Sequence, residues 1–450
     1  MDLVILTLLA ISLILFFGFF AEFGFRKFNV PDVLLLIILG FIIGPSVLGY
    51  INPIDLVTIA PVFTTFTLLF LLFDGAFNIN LSSLIKEFSH SFVLTVYNFF
   101  ISSIVITCLM LLFQYFLFDQ VSVLGALLTG FALGGVSSAF VIPVLKQMDI
   151  KPKLYSLLAL ESALTDVFCI VFSLTVLEVF ILGGFGIQST FSQIAALFAV
   201  AVLVGLIAGI IWIFLVLKVF KEHNYMMAIA YLILVYVLAE FLHGNGAIAA
   251  LFFGLVLYNS KQLSSIIRGI TFHGSEKEKE GAISGDLGVS ITTPSEKFFY
   301  DQLSFFLKTF FFVYIGILID ISNIKLLIIG IIISVVLMGS RVASRLLTKG
   351  YDYEDRTLVN SIFARGLAAA AIAQIAIQAG FPGAEDIGKV IYVVITGTIL
   401  LSSVRVFILK MHWHKIIGKG KELHTKVKSK EKSKPKVKRY KSKRKAKTKK

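Results

Sequence analysis

The chain has 450 residues, of which 57% are hydrophobic and only 15% are charged. A water-soluble fold could not shield so large an apolar share from solvent, so a soluble globular protein is excluded. The net charge of +14 is unevenly distributed, because residues 415–450 hold 18 Lys or Arg against two acids, whereas the rest holds 23 against 25. We therefore expect a nearly neutral membrane-embedded body and a strongly basic tail.

Apolar runs of about 20 residues follow one another along the chain, as expected of helices that cross a bilayer. Breaking the sequence at clusters of Gly, Pro, Asn and charged residues gives about thirteen spans. They cover residues 2–23, 31–50, 56–77, 91–117, 122–145, 154–182, 192–217, 225–242, 245–258, 299–320, 324–346, 357–379 and 387–410. The eighth and ninth spans form a nearly continuous pair through His243-Gly244-Asn245-Gly246, so a total of twelve spans is the alternative. The predicted fold class is an all-α polytopic membrane protein.

Basic residues in the short loops indicate the orientation. Lys and Arg occupy every second loop, from Arg26 and Lys27 to Arg345 and Lys349, and the loops between them carry almost none apart from Lys325. Short cytoplasmic loops collect basic residues. With an odd number of spans, we expect a multi-pass protein of the cell membrane with its N-terminus outside and its C-terminus in the cytoplasm.

Two stretches are too polar to cross a membrane. The loop 259–298 is interpreted as a cytoplasmic linker between two halves, with a mobile or regulatory role as the alternative. The tail 411–450 lacks the apolar residues needed to fold and is predicted to be disordered. It should attract anionic lipid headgroups by about 1 kcal/mol per basic residue. Only Tyr440 lies among its last lysines, so no nucleic-acid partner is expected.

The sixth span carries an unusual polar stripe. Glu161, Ser162, Thr165 and Asp166 are spaced three or four residues apart, so they share one face of a helix. A charge at the bilayer centre costs about 2.5 kcal/mol or more, so it needs a partner, a water path or a function. A stripe that only joins helices is the plainer alternative.

Two spans contain breaks that strengthen a functional interpretation of this stripe. Gly134 to Ala139 interrupts the fifth span, and Arg365-Gly366 is a weak point in the twelfth. Irregular backbone at membrane depth is tolerated only where it is buried in protein or lines a cavity, and paired broken helices mark transporter binding sites. Because the two breaks are seven spans apart, they predict inverted repeats of about 2–182 and 225–410 within a transmembrane domain of 1–410.

The chemistry of such a site is competition between ions. Burial favours the neutral form of the Asp166 carboxyl, so a proton and a small hard cation would compete for this single negative site. The hydroxyls of Ser162 and Thr165, the main chain near Ser137, and Asp74 could add oxygen ligands for Na⁺ or K⁺. No cofactor is expected besides the transported ions, and neither Cys108 nor Cys169 indicates a disulfide or a zinc site.

Other buried charges are assigned structural or supporting tasks. Glu161 would be costly beside Asp166 unless a cation neutralised it, and Arg365 is the predicted partner. Ser138, Arg341 and Lys308 are supporting candidates, and Lys308 is interpreted as a lysine that reaches the membrane interface.

Several short motifs, taken in order, resemble the cation/proton antiporter superfamily and more closely its sodium/proton exchanger branch of archaeal and bacterial members. They extend over residues 1 to about 410. The motifs are Pro31 with Gly40 and Gly44-Pro45, Phe73-Asp74-Gly75, the broken fifth span, Glu161-Ser162 with Thr165-Asp166, Phe310-Phe311-Phe312 with Gly316, and Ala364-Arg365-Gly366.

The resemblance implies a secondary transporter, not an enzyme, in which a six-helix core slides against a dimer-forming panel. It implies that Asp166 carries the cation and the proton alternately and that Ser162 is a ligand. Ser137 stands where the family has a threonine, at the point where the broken helices cross, and Asp74 stands where this branch has an acidic residue. Glu161 and Arg365 match the family's buried ion pair. A homodimer is the partner that it implies.

Two departures from the family pattern leave selectivity open. Electroneutral members usually have Asn-Asp and electrogenic members Asp-Asp, whereas this chain has Thr165-Asp166, and a single carboxylate favours one-for-one exchange. Ser137-Ser138-Ala139 replaces the usual Thr-Asp-Pro and is closer to potassium-efflux relatives. A K⁺/H⁺ antiporter therefore remains the first alternative to Na⁺ or Li⁺ exchange. More remote alternatives are an intramembrane aspartyl protease that uses Asp74 and Asp166, or a cation channel.

Overall fold

The computed structural model describes residues 3–28, 31–51, 56, 59–76, 81–117, 122–146, 148, 150–181, 187–220, 225–260, 294–348 and 350–432. Within these ranges the chain forms fifteen α-helices and no strand. They are α1 Leu3–Phe28, α2 Asp32–Ile43, α3 Ala60–Ala76, α4 Leu81–Leu117, α5 Val123–Ala132, α6 Ser138–Lys146, α7 Pro152–Ile181, α8 Ile187–Phe214, α9 Tyr225–Phe241, α10 Gly246–Tyr258, α11 Pro294–Ile317, α12 Ile324–Ser340, α13 Tyr353–Ser361, α14 Leu367–Gln378 and α15 Ala384–Lys432. The predicted all-α fold class is confirmed.

In the part of the chain that the structure describes, five segments are long and apolar enough to cross a membrane by length and composition, and seven shorter apolar helices accompany them. The five are Phe92–Phe113, Leu154–Ile181, Ala195–Phe214, Ile324–Leu346 and Ala384–Met411. The number of thirteen spans stays a prediction, as does the inverted repeat.

The eighth and ninth predicted spans are two separate helices, α9 and α10. His243, in the connection between them, has a positive φ of 54°. Asn245 then caps α10, because its side-chain oxygen accepts a hydrogen bond from the backbone N–H of Ile248 at 3.1 Å. An N-cap of this kind satisfies one of the free donors at the start of a helix. The polar turn at His243 and the cap at Asn245 therefore divide this nearly continuous apolar stretch into the helices α9 and α10.

Small residues bring some helices together backbone to backbone. A Cβ added at Gly40 of α2 would lie 2.0 Å from the carbonyl oxygen of Val313, and one added at Gly316 of α11 would lie 2.2 Å from that of Ile37. Helices in a membrane associate through close packing, since the lipid offers no hydrophobic drive between them. Helices α2 and α11 are therefore held in direct contact, and Leu367 to Ala373 of α14 are buried among neighbouring helices for the same reason.

The end of the chain differs from its prediction. The sequence predicts a disordered tail from residue 411, but α15 continues to Lys432. Lysine is a good helix former, so a lysine-rich stretch can prolong an apolar helix although it has no core of its own. Residues 433–450 and most of the predicted loop 259–298, namely 261–293, lie outside the described residues, and there the predictions stay predictions.

Candidate functional site

Two interruptions of the helical backbone meet inside the protein. Helix α5 ends at Ala132 and α6 begins at Ser138, while α13 ends at Ser361 and α14 begins at Leu367. The backbone N–H of Ser137 donates to the carbonyl oxygen of Ala364 at 2.9 Å. A Cβ added at Gly366 would lie 2.0 Å from Ser137 Oγ. We call the residues 133–137 and 362–366 the crossing.

Asp166 of α7 lies beside the crossing, at the beginning of α6. Its Oδ2 accepts hydrogen bonds from the backbone N–H and the hydroxyl of Ser138, at 3.1 and 2.5 Å. The N-terminus of a helix favours a negative charge, because its first N–H groups have no partner within the helix. Asp166 is partly exposed, whereas Glu161, Ser162 and Thr165 of the same stripe are buried. It is therefore the carboxylate of the stripe that an ion can reach.

Thr165 and Ser162 belong to the same stripe of α7 as Asp166, and their hydroxyls are hydrogen-bonded to the backbone. Thr165 Oγ1 accepts from the N–H of Val136 at 3.0 Å and lies 3.3 Å from the Val136 carbonyl and 3.2 Å from the Ser162 carbonyl. Since a hydroxyl has one hydrogen, it donates to one of these carbonyls at a time. Ser162 Oγ donates to the Ala159 carbonyl at 3.0 Å. Thr165 therefore fastens α7 to the crossing, and Ser162 keeps oxygen lone pairs for a ligand.

Arg365 lies within the crossing and serves its backbone. Its Nη1 donates to the carbonyl oxygens of Gly134, at 3.0 Å, and of Gly135, both just beyond the end of α5. A cation is favourable at the C-terminal end of a helix, where carbonyl groups lack partners. Arg365 thus neutralises the end of α5, while Asp166 occupies the positive start of α6.

Glu161 pairs with Arg341, and the predicted pair of Glu161 with Arg365 is wrong. Arg341 Nη1 lies 2.5 Å from Glu161 Oε1 and Nη2 lies 2.8 Å from Oε2, so the contact is bidentate. Both side chains are almost fully buried, at 4% and 1% exposed. Arg365 does not take this place because its guanidinium is bound to the carbonyls of the crossing. Arg341, named only as a supporting residue, is the structural partner.

Sequence reasoning missed Asn98, which completes the environment of this pair. Asn98 Nδ2 donates to Glu161 Oε1 at 2.8 Å, and Ser344 Oγ donates to Asn98 Oδ1 at 2.9 Å. This chain of hydrogen bonds gives the Glu161 carboxylate a partner besides Arg341, as a stable buried ion pair requires. In the sequence, the signal that could have pointed to Asn98 is its polar amide within the apolar run of α4.

Asp74 is held by a neighbouring pair of helices, α3 and α11. Its Oδ2 accepts a hydrogen bond from Ser304 Oγ at 2.7 Å. Asp166, by contrast, is held by Ser138. The two aspartates therefore have separate partners, which does not favour the shared proton of an aspartyl protease.

Lys308 of α11 forms an ion pair inside the protein, so its interpretation as an interfacial lysine is wrong. Its Nζ lies 2.6 Å from Oδ2 of Asp32, and the two side chains are 16% and 5% exposed. Asp32 was not among the sequence candidates. Asp32 directly follows Pro31 and begins an apolar helix. From the sequence alone, it is an ordinary acid in the first turn, where a negative charge stabilises the helix.

A charged contact joins the beginnings of α7 and α13. Lys151 binds Asp352, and it lies 3.0 Å from Asp355, whose side chain is only 6% exposed. These hydrogen bonds, first that with Asp352 and then that with Asp355, raise the pKa of Lys151. The contact ties the start of the helix with Asp166 to the helix that leads into the second half of the crossing.

Comparisons with known proteins agree with this geometry. The solved structures that share the fold include two of the sodium proton antiporter MjNhaP1 from Methanocaldococcus jannaschii. The one determined at pH 8 has a TM-score of 0.69 and 22% identity, over 92% of this chain and 98% of that one. An electron-microscopy map gives a TM-score of 0.64 and 20% identity, over 92% and 97%. No curated protein sequence matches the chain.

A sequence profile of the family described as "Sodium/hydrogen exchanger, transmembrane" matches residues 11–411. This range contains every residue of the crossing, the polar stripe of α7 and the ion pairs around them. The chain therefore belongs to the sodium/hydrogen exchanger family, and it is a multi-pass membrane cation/proton antiporter, not an enzyme.

Proposed function

We propose that the protein exchanges Na⁺, and also Li⁺, for H⁺ across the plasma membrane, with Asp166 as the carrier of both ions. The observation that supports this most directly is the position of Asp166, a partly exposed carboxylate at the start of α6 with two donors on one of its oxygens. Ser138 orients the carboxyl by binding Oδ2, so Oδ1 is the oxygen that would meet an incoming cation.

Competition at this carboxylate couples the two ions. When Asp166 is protonated, its charge is gone and a cation has lost its main attraction, so the proton must leave before the cation binds. Ser162 Oγ and the main chain near Ser137 would supply neutral oxygen ligands, which suit a hard monovalent cation. Thr165, a predicted ligand, would act chiefly by fastening the crossing. Alternation of the site between the two sides would follow the elevator type of motion.

The charge balance favours one-for-one, electroneutral exchange. Glu161 is paired with Arg341, and Lys308 with Asp32, so these four charges cancel within their own pairs. Asp166 is then the acid of the α7 stripe that changes charge during the cycle. One negative site can carry either one proton or one monovalent cation.

K⁺/H⁺ exchange is the second candidate, and Ser137-Ser138-Ala139 favours it. The Ser138 hydroxyl stands where the sodium branch usually has a carboxylate, and it donates to Asp166. A site with one carboxylate and several neutral oxygens attracts a cation less strongly. It therefore suits a large, weakly hydrated ion better than a site with two carboxylates does.

The proposed orientation, dimerisation and attraction to lipid concern the whole protein in its membrane. The alternation of basic loops supports a cytoplasmic C-terminus and an external N-terminus. The family supports a homodimer, and the basic tail supports attraction to anionic headgroups.

The test is proton movement in proteoliposomes that contain a pH dye under an imposed pH gradient. Addition of Na⁺ or Li⁺ should dissipate the gradient, and Asp166→Asn should abolish the response in folded protein. Glu385→Gln is the matched control, because Glu385 is an exposed acid in the first turn of α15. A response to K⁺ alone would select the second candidate, and full exchange by Asp166→Asn would remove Asp166 as the carrier.

A further inference from the structure

Four successive backbone N–H groups, those of residues 135–138, donate to acceptors on other segments. The acceptors are, in the order of the donors, Cys169 Sγ at 3.1 Å, Thr165 Oγ1 at 3.0 Å, the Ala364 carbonyl at 2.9 Å and Asp166 Oδ2 at 3.1 Å. Three of these four acceptors are side chains of one stretch of α7, residues 165–169. Helix α7 therefore positions the chain of the crossing, amide by amide, up to the residue that binds Asp166.

Cys169 lies against the crossing where its backbone is in close contact with α7. A Cβ added at Gly135 would lie 2.6 Å from Cys169 Sγ and 2.7 Å from the carbonyl oxygen of Thr165, so a side chain does not fit there. Cys169 itself is only 2% exposed. The glycine allows the two backbones to approach, and the thiol binds the N–H group that this approach brings within reach.

Gly135 depends on its backbone partners because it has no side chain to anchor it. Arg365 Nη1 binds its carbonyl oxygen, and Cys169 binds its N–H. Glycine has the widest conformational freedom, and a buried N–H without an acceptor is costly where water does not compete. Loss of the thiol would therefore loosen the chain three residues before Ser138, which binds Asp166 Oδ2 with both its N–H and its hydroxyl.

A buried cysteine has a plainer role, as a small apolar side chain that fills space. The contact of Cys169 goes beyond that role, because the N–H of Gly135 meets the sulfur in hydrogen-bond geometry. The next N–H, that of Val136, is bound in the same way by Thr165, one turn earlier on α7. Two acceptors one turn apart for two successive donors indicate that α7 orders the crossing as well as packing against it.

We propose that Cys169 is a positioning residue for exchange, whose thiol holds the N–H of Gly135 and so keeps Ser138 in place for Asp166. The inference rests on the proposed function, in which Asp166 carries the cation and the proton. Cys169 acts through the backbone of the crossing and not as a ligand of the cation. Its side chain determines how well ordered the site is before a cation arrives.

Cys169→Ala should raise the KM for Na⁺ about three- to tenfold, as expected for the loss of one hydrogen bond, with a smaller effect on kcat. The cation would then meet a site in which Ser138 is less well placed. Cys169→Ser should keep a KM close to that of the wild type, because its hydroxyl oxygen can accept from the same N–H. Serine and alanine are nearly equal in size, so the two variants differ in the acceptor and not in packing.

The measurement is the initial rate of exchange against Na⁺ concentration in proteoliposomes, with K⁺ instead if the wild type responds to K⁺ alone. Cys108→Ala is the matched control, because Cys108 is an exposed thiol of α4 and its loss should not change KM. Hydrogen–deuterium exchange of the peptide that contains Gly135 gives a second readout. It should be faster in Cys169→Ala, and in Cys169→Ser it should be as slow as in the wild type.

An unchanged KM in folded Cys169→Ala would overturn the inference. A KM raised equally in Cys169→Ala and Cys169→Ser would also overturn it, since that is the result expected from lost packing. If Cys169→Ala does not fold, Cys169→Val takes its place, because it keeps an apolar side chain but has no acceptor. An unchanged KM in folded Cys169→Val would overturn the inference as well.

The wild-type protein distinguishes failure of the inference from failure of the proposed function. A wild type that exchanges no monovalent cation would remove the proposed function, and this inference with it. An active wild type whose KM does not respond to the loss of the Cys169 thiol would remove only the inference and would leave Asp166 as the carrier.

Discussion

At the scale of single residues, two buried arginines near the crossing neutralise two different kinds of negative charge. Arg341 meets the full charge of Glu161 with both nitrogens of its fork. Arg365 meets the partial charges of the Gly134 and Gly135 carbonyls. The planar guanidinium suits both tasks, because its donors diverge in fixed directions. One residue type therefore supports both the fold around α7 and the shape of the crossing.

Arg341→Ala should destabilise the protein by about 3–5 kcal/mol, because it leaves Glu161 buried without its cation. Thermal unfolding of the purified protein in detergent measures the loss. Arg345→Ala is the matched control, since Arg345 is exposed in the same short helical segment, and it should change stability by no more than about 0.5 kcal/mol. Equal unfolding temperatures for the two variants would show that the ion pair of Glu161 does not support the fold.

At the scale of elements, the site exists only because two helices are interrupted at positions that meet. Neither α5 and α6 nor α13 and α14 could provide it alone, since Ser137 N–H is satisfied by Ala364 and Arg365 satisfies carbonyls near α5. Buried backbone groups require such partners in a membrane, where water does not compete for them. The contact at Gly366 sets how closely the two halves approach.

Gly366→Ala should separate the two halves of the crossing, because its Cβ would lie 2.0 Å from Ser137 Oγ and 2.5 Å from Ser137 Cβ. We expect a loss of about 1–3 kcal/mol, as for other overpacked sites, and loss of most exchange activity. Both can be followed by thermal unfolding and by the proteoliposome assay. The double variant with Ser137→Gly removes both clashing atoms and should recover part of the activity.

Gly339→Ala provides the control for this substitution. Gly339 lies in α12, and a Cβ added there meets nothing within 4 Å. Alanine is the better helix former by about 1 kcal/mol, so this variant should be as stable as the wild type or more so. If it lost activity as Gly366→Ala does, the close approach at the crossing could not be the cause.

Local patterns in the sequence were sufficient to find the elements of the site but not its pairings. Gly134 to Ala139 marked the first break, and the spacing of Glu161 to Asp166 marked one face of α7, because each of these patterns spans only six residues. The partner of Glu161 is 180 residues away, and the partner of Lys308 is 276 residues away. Two arginines in neighbouring apolar runs had the same chemistry, and only the approach of α7 to the segment after α12 decided between them.

At the scale of the whole molecule, nearly neutral helices are joined to a polycationic end. The acids and bases of the body largely cancel, and several of them are bound in internal pairs. The excess charge lies beyond residue 414, past the segment Ala384–Met411 that is apolar enough to cross a membrane. Every residue assigned to the site lies in the body, so transport and the basic end should be separable.

Deletion of residues 426–450 should therefore leave cation/proton exchange intact in neutral liposomes. It should weaken the binding of the protein to liposomes that contain anionic lipid. Each basic residue near an anionic surface contributes about 1 kcal/mol, and salt screens the attraction. We would compare exchange rates and liposome capture in phosphatidylcholine with and without phosphatidylserine, at low and high salt. A deletion that abolishes exchange in neutral liposomes, in protein that unfolds at the wild-type temperature, would place the tail within the transport mechanism. Exchange that continues at the wild-type rate would assign the tail to the membrane surface, because the crossing, Asp166 and the ion pairs around them would then be sufficient for transport.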